Sequence, residues 1–383
     1  MEETLLDIEL KDIRIPRKTE EGEPEYIINM GPQHPSTHGV LRYEVCLEGE
    51  QVKYLRPHCG YIHRGIEKMS EKLTYPQLLH LTDRMDYLSA HINNEAVALC
   101  VENSMEVQVS DRVKYIRTIL AELTRIASHQ LWWSAFGMDL GALTTFFYGL
   151  RDREKILDIF EETTGSRLIQ SYITPGGLMT DIHPNFQRGV KEFVKYFRKK
   201  LPEYDQLLTG NVIFHERTQG IGIMSKEDAI DYGVTGPSGR GSGFHCDIRK
   251  IAPYSAYPFV KFNEITYTEG DTFHRYLVRI KEMWESLSII EQLVDNIPQG
   301  EVMLELKAIK APKGEYYQRV ETARGELGVY IVSDGGPMPA RIHYRTPNFS
   351  NLFVLNKIAK GHKIADLVAI SGSLDLVIPD IDR

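Results

Sequence analysis

The loop Gly31–Gly39 is the segment that most constrains how this chain folds. Its two prolines fix the backbone angle φ, and a glycine at each end allows a tight bend. Residues 26–30 and 41–47 alternate apolar and polar side chains, which predicts a β-strand on either side of the loop. The loop therefore holds two imidazoles, those of His34 and His38, at a turn between strands.

Helical patterns dominate the centre of the chain. Apolar residues recur at three- and four-residue spacing after Ser110, from Phe186 and after Asp271, and serine and aspartate are good N-caps. Pro202 is predicted to close the second of these helices. The segment Thr82–Tyr87 is predicted to lie on another helix, and the apolar stripes are predicted to form the core.

The last part of the chain changes character. Residues 316–321 and 327–332 alternate around a turn that contains glycine, which predicts a β-hairpin. Residues 340–345 predict a further strand, and residues 352–360 a short helix. The predicted fold class is α+β and mainly α, with a helical centre and small antiparallel β elements at both ends.

Charge and hydropathy exclude several classes of function. The net charge is −8 and the isoelectric point is about 5.9, so nothing favours nucleic acid as a partner. The first residues are acidic and lack the basic and apolar regions of a signal peptide. The most apolar window, residues 131–150, carries Asp139 and three glycines, and we expect it not to span a membrane. These features predict a soluble or peripheral cytoplasmic protein.

Two kinds of cofactor motif are missing from the sequence. The four cysteines form no CxxC pair, so they predict separate free thiols and not zinc or iron–sulfur ligands. The glycine-rich segment Gly236–Gly243 lacks the lysine of a phosphate-binding loop and does not match GxGxxG. It favours a flexible surface loop over a phosphate cradle. We therefore expect this chain by itself to bind no NAD, flavin or ATP.

Four motifs together resemble one family. They are the histidine loop, Thr82–Tyr87, Asp139–Ala142 and Arg319–Gly328, and with the last residues they resemble the D subunit of bacterial respiratory complex I, the NADH:quinone oxidoreductase. This family is homologous to the large subunit of nickel–iron hydrogenases, so the resemblance implies a hydrogenase-like helical core. It implies four regions: an extended N-terminal arm (1–25), a β region with the histidine loop (26–60), a helical core (61–310), and a C-terminal hairpin and helix region that closes the quinone pocket (311–383).

The hydrogenase relationship makes a specific prediction about metal. Hydrogenase large subunits hold nickel and iron with two CxxC pairs, which correspond here to Cys59–Ile62 and Val377–Asp380. Only Cys59 keeps a thiol, and Asp380 offers a hard oxygen where a soft thiolate is needed. The resemblance therefore implies no metal in this chain. The cavity, with His34, Cys59, Ile62, Val377 and Asp380 around it, would hold the quinone headgroup.

The resemblance assigns two proton donors. Reduction of a quinone to a quinol consumes two electrons and two protons, and the family's headgroup ligands correspond to Tyr87 and His38. Asp139 corresponds to the carboxylate partner of the histidine, which would raise the pKa of the imidazole. Without the resemblance, each residue has a purely structural interpretation: Tyr87 as a core tyrosine, His38 as a turn histidine and Asp139 as a helix cap. His34 either contacts the quinone or only stiffens the loop.

Three further positions correspond to family residues that face an iron–sulfur cluster. By resemblance, this terminal [4Fe-4S] cluster lies in the adjacent B subunit and supplies the electrons. Arg64 and Arg84 would raise its potential, although surface arginines commonly form only salt bridges. Ile169 replaces a histidine common in the family, and Thr174 replaces an arginine. We expect a lower, nearly pH-independent cluster potential, which favours menaquinone over ubiquinone.

The resemblance also implies the assembly. The partners would be the B, C and I subunits and the membrane-embedded H subunit, with this chain peripheral at the cytoplasmic face of the bacterial inner membrane. The whole would be a proton-pumping translocase. The alternatives are a complex fed by ferredoxin or a deazaflavin, a membrane-bound hydrogenase, which the lost cysteines disfavour, and a scaffold that only docks the B and C subunits.

Overall fold

The computed structural model describes residues 14–17 and 25–383, and most of its regular structure is helical. The α-helices, in chain order, are α1 (Ile66–Ser70), α2 (Tyr75–Thr82), α3 (Ala90–Ser104), α4 (Asp111–Asp139), α5 (Leu143–Thr164), α6 (Phe186–Tyr204), α7 (Val212–Glu216), α8 (Lys226–Asp231), α9 (Gly236–Arg240), α10 (Ile248–Ile251), α11 (Thr272–Val294), α12 (Pro347–Phe353), α13 (Leu355–Ala359), α14 (Ile364–Ser373) and α15 (Ile378–Asp382).

The strands form three small antiparallel sheets, which confirms the mainly α class with added β elements. The first sheet has the order β1 (Arg14–Arg17), β2 (Glu25–Met30), β3 (Arg42–Glu48) and β4 (Gln51–His58). The second is the pair β5 (Ile173–Thr174) and β6 (Gly177–Leu178). The third has the order β7 (Gly314–Glu321), β8 (Glu326–Ser333) and β9 (Arg341–Arg345).

The long helices begin where their caps predict. The Ser110 hydroxyl accepts a hydrogen bond from the Val113 amide at the start of α4, and the Asp271 carboxylate accepts one from the His274 amide at the start of α11. The apolar stripes of both helices are buried, which confirms the prediction that they form the core.

Four local predictions are wrong. Helix α2 ends at Thr82, so Tyr87 lies in the turn before α3 and not on a helix. Helix α6 continues past Pro202 to Tyr204 and into a π-helical turn, because a proline near the end of a helix removes only one of its hydrogen bonds. Residues 352–360 form parts of two short helices that meet at Val354. The segment Gly236–Gly243 is no flexible surface loop, because its first five residues form the buried helix α9.

The two ends of the described chain share one apolar core. Side chains of β3 and β4 pack with side chains of α12 to α15, whereas the long helices and the third sheet form a second core. Gly39 lies against the Ile378 side chain, where a Cβ atom would approach to 2.6 Å. This packing brings the histidine loop to the C-terminal segment. Because both cores include residues of more than one predicted region, the division into four regions stays a prediction.

Part of the predicted N-terminal arm, residues 1–13 and 18–24, lies outside the described residues. Within residues 14–17, β1 pairs with β2 at the edge of the first sheet. Among the described residues, none of the helices has the length and apolar composition needed to cross a membrane. The apolar window at residues 131–150 is divided between α4 and α5 by the turn at Gly141.

Candidate functional site

His38 is held at the end of the loop and hydrogen bonded to Asp139. Its Nε2 atom lies 2.5 Å from Asp139 Oδ2, and Asp139 is the last residue of α4. The buried Thr37 hydroxyl lies 2.8 Å from the His34 carbonyl oxygen and 2.9 Å from that of Gly39, which fixes the loop. His38 has φ of 53°, a strained value for a residue with a side chain. The fold therefore holds this imidazole in one place.

The environment of His38 favours its protonated form. Burial lowers the pKa, but the hydrogen bond and charge of Asp139 and the charge of Asp375 outweigh burial, so the pKa lies above its ordinary value of 6.5. Because Nε2 is engaged by Asp139, Nδ1 is the ring nitrogen left to meet a substrate.

Asp139→Asn is expected to reduce thermal stability more at acidic pH than at alkaline pH. The pKa of His38 is higher in the folded chain than in the unfolded one, so its stabilising contribution is complete below the unfolded value and is lost as pH rises through the folded value. Melting temperatures of both proteins between about pH 5 and about pH 9 test this. The control is Asp111→Asn, which removes an exposed carboxylate at the other end of α4. A pH-independent difference for Asp139→Asn would contradict the assignment.

Arg324 joins three segments of the chain behind the loop. Its guanidinium donates hydrogen bonds to Asp86 at 3.0 Å, to the Ser128 hydroxyl at 2.8 Å and to Asp375 at 3.1 Å. We call these four residues the Arg324 cluster, and all of them are buried. The sequence showed Arg324 only within a motif and gave no signal for Asp375, because buried ion pairs between distant segments leave no local pattern.

Tyr87 lies next to this cluster and is 39% exposed. Burial raises the pKa of its phenol, Arg324 lowers it, and the charges of Asp86 and Asp375 raise it again; the net direction is upward. The phenol therefore stays protonated at neutral pH and can donate its proton only to a strongly basic acceptor. Asp375 acts electrostatically on both Tyr87 and His38, so the charge of one carboxylate raises the pKa of both predicted proton donors.

The turn at Cys59–Ile62 meets the last helix, α15. The Gly60 and Ile62 amides donate hydrogen bonds to the Asp382 carboxylate at 2.7 and 3.0 Å. A cleft of about 420 Å³ lies beside them, with the exposed Cys59 on its wall. Cys46, Cys100 and Cys246 are buried, and all four cysteines are free, as predicted.

Val377 and Asp380 are buried in the last turn of the chain. Burial and the charge of Asp86 raise the pKa of Asp380, although the Asn348 side chain donates a hydrogen bond to it at 2.8 Å. His34 is exposed on the loop. Among residues 14–17 and 25–383, His, Cys, Asp and Glu side chains form no group of three or more that could hold a metal ion.

Hydrogen bonds link Arg64, Arg84 and the segment that follows Ile169. The exposed Arg64 guanidinium donates to the Arg84 carbonyl oxygen at 2.7 Å, and Arg84 donates to Asp83 at 2.8 Å. The Ser171 hydroxyl in turn donates to Asp83, and Ser171 follows Ile169 by two residues. Tyr87 follows Arg84 by three residues in the chain.

Comparisons with known proteins agree on one family. The family model described as respiratory-chain NADH dehydrogenase, 49 Kd subunit, matches residues 139–310 and 304–383. The C/D subunit of the NADH-quinone oxidoreductase of Bacteroides thetaiotaomicron is 58% identical over 363 residues, which cover 94% of this chain and 68% of that protein. The D subunit of the Desulforamulus reducens enzyme is 46% identical and that of Geobacter metallireducens 45%, and each alignment covers 98% of the relative and over nine-tenths of this chain. This chain therefore belongs to the family of D subunits of the multi-subunit NADH-quinone oxidoreductases.

Proposed function

We propose that this chain forms, together with the B subunit, the pocket in which a quinone is reduced, and that Tyr87 and His38 supply its two protons. The observation that carries the proposal is the shared environment of these two donors. Asp375 acts on both, Asp139 holds the imidazole, and Arg324 holds Asp375. In this proposal one quinone oxygen lies near Tyr87 and the other lies near His38.

In the proposed reaction the B subunit provides the electrons and this chain provides the protons. The two electrons would come from the terminal [4Fe-4S] cluster, which the family resemblance places in the B subunit. As negative charge develops on the quinone oxygens, the Tyr87 phenol gives its proton to one oxygen and the His38 imidazolium gives its proton to the other. Asp139 then faces a neutral imidazole, and Arg324 stabilises the phenolate. Both donors regain protons from solvent.

The pocket is proposed to occupy the position of a hydrogenase metal site. The meeting of the Cys59–Ile62 turn with the last helix supports this, since the two CxxC segments must converge in a metal-binding ancestor. Val377, Asp380 and the loop residue His34 would complete its wall. Arg64, Arg84 and Ile169 are proposed to contact the B subunit.

Further details of the assembly belong to the same proposal. Ile169 cannot titrate or donate a hydrogen bond, which favours a low-potential cluster and menaquinone as the acceptor. The C and I subunits and the membrane-embedded H subunit are the other proposed partners, with the chain at the cytoplasmic face of the inner membrane. NADH is the proposed electron source, because the relatives' names specify it.

Tyr87→Phe in the assembled complex is expected to slow the reduction of a short-chain quinone by roughly 100-fold, the usual contribution of a general acid. Phenylalanine keeps the ring and loses only the proton donor. The matched control is Tyr317→Phe, which removes a phenol that is 54% exposed and lies on β7 in contact with Glu326. Steady-state rates with excess donor measure both. A normal rate for Tyr87→Phe would contradict the catalytic role and favour a scaffold.

A further inference from the structure

A fully buried histidine–carboxylate pair includes a residue of the helix that ends at Asp139. His129 Nε2 is 2.7 Å from Glu282 Oε2, and both side chains are buried. His129 is on α4, the helix that ends at Asp139, and Glu282 is on α11. The proposed chemistry uses neither residue.

The tautomer of His129 follows from the charges around Glu282. Arg240 and Arg249 donate to Glu282 Oε1 at 2.9 and 2.7 Å, and although burial raises the pKa of Glu282, these guanidinia hold it well below its ordinary range. An ionised Glu282 can only accept, so His129 Nε2 carries the hydrogen. His129 Nδ1 is then a bare acceptor, buried and without a hydrogen-bond partner in the described structure.

Asp375 holds a second acceptor of this kind. Its Oδ2 is also buried without a hydrogen-bond partner among the described residues, while its Oδ1 accepts from Arg324. The charge of Asp375 acts on His129, and Ser128, next to His129, accepts from Arg324. Asp375 Oδ2 lies 4.0 Å from Arg279 Nε, whereas no donor among the described residues reaches His129 Nδ1. A buried acceptor without a donor is costly, and a proton on Nδ1 would remove that acceptor. The negative charge of Asp375 would stabilise a proton on His129 Nδ1.

We propose that His129 is an internal proton acceptor of the quinone site, which takes up a proton on Nδ1 when Tyr87 has given its proton to the quinone. The inference rests on the proposed function. In this step the phenol O–H bond breaks, and its proton goes to a quinone oxygen. The negative charge left on Tyr87 adjoins Arg324 and Asp375. A hydronium ion of the solvent then gives its proton to Nδ1 and leaves as water, and the charges of Glu282 and Asp375 stabilise the imidazolium.

Opposing effects of burial and neighbouring charges set the pKa of His129. Burial and the charge of Arg279 lower its pKa, and Glu282 and Asp375 raise it; the net direction is downward, so the ring is neutral at rest. A new negative charge beside Asp375 moves the balance toward protonation. The charged groups that act on His129 are Glu282 and Arg279 on α11 and Asp375 before α15. Glu282 is paired with Arg240 on α9 and Arg249 on α10, which also pair with the carboxylates Asp247 and Glu122, and Arg324 in the β7–β8 turn donates to the neighbouring Ser128.

His129→Gln in the assembled complex tests the proposal. The glutamine amide can donate to Glu282 but cannot take up a proton. We expect quinone reduction to be slowed at least about fivefold near pH 6, with the difference from the unchanged complex disappearing toward pH 9, where the histidine no longer protonates. A purely structural role would lower the rate by the same factor at every pH, and that result would overturn the proposal.

His91→Gln is the matched control. His91 is also fully buried, but it contacts the Thr124 hydroxyl at 3.1 Å, and burial alone lowers its pKa to about 3. Its pH–rate profile should parallel that of the unchanged complex. If His129→Gln fails to assemble, His129→Asn, which also cannot titrate, is measured in the same way. If Tyr87→Phe is slow while His129→Gln parallels the unchanged complex, only the inference about His129 fails.

Discussion

Arg324→Met is expected to lower the free energy of unfolding by about 3–5 kcal/mol, the cost of removing one partner from a buried ion pair. The variant removes the cation hydrogen bonded to buried Asp86 and leaves Asp375 with the longer 4.0 Å contact to Arg279, and a methionine of similar length cannot hydrogen bond to either carboxylate. Urea unfolding of the full-length chain measures the loss. The amount of assembled complex should fall in parallel, because Arg324 links carboxylates that come from two distant segments of the chain.

Arg341→Met provides a close control. Arg341 also bridges two carboxylates, with 3.0 Å to Glu67 and 3.3 Å to Glu71, but its side chain is 48% exposed. Solvent screens this arrangement, so its removal should cost at most about 1 kcal/mol. Equal losses for the two variants would mean that burial does not set the strength of the Arg324 cluster.

The sequence predicts those parts of the fold that local patterns determine. Ser110 and Asp271 cap long apolar stripes, so hydrogen bonding and periodicity agree on where α4 and α11 begin. The prediction that Tyr87 lies on a helix is wrong because Asp83 makes tertiary contacts that end α2, with Ser171 among them. Such contacts are absent from any local window of sequence.

Some residues of the candidate site could be predicted from the sequence, and others could not. The family resemblance supplied the pair His38 and Asp139. These residues are 101 positions apart in the sequence and are hydrogen bonded in the structure. Arg324 and Asp86 are 238 positions apart, and no spacing rule connects them. A buried charge pair depends on how distant segments pack, so its members look like ordinary surface residues in the sequence. His129 gives no sequence signal for the same reason, since its stripe neighbours are core residues.

The glycine-rich segment Gly236–Gly243 makes a close backbone contact that no local sequence pattern predicts. Gly236 has φ of +66°, and a Cβ atom there would lie 2.4 Å from Gly325 Cα and 2.5 Å from the Arg324 carbonyl oxygen. The helix α9 therefore packs with its backbone directly against the turn that carries Arg324. Gly236→Ala should cost more than about 3 kcal/mol, because the left-handed conformation costs about 1–2 kcal/mol and the forced separation of two backbones adds to it.

Gly220→Ala separates these two contributions. Gly220 has φ of +69°, almost the same as Gly236, but no atom lies within 4 Å of a Cβ placed there. It should lose only about 1–2 kcal/mol, the conformational part. Unfolding curves of both variants give the difference, which measures the close approach at Gly236 alone. Because that approach positions Arg324, Gly236→Ala should also slow quinone reduction in any complex that assembles, whereas Gly220→Ala should not. Equal stability losses and equal rates would show that α9 does not hold the Arg324 cluster in place.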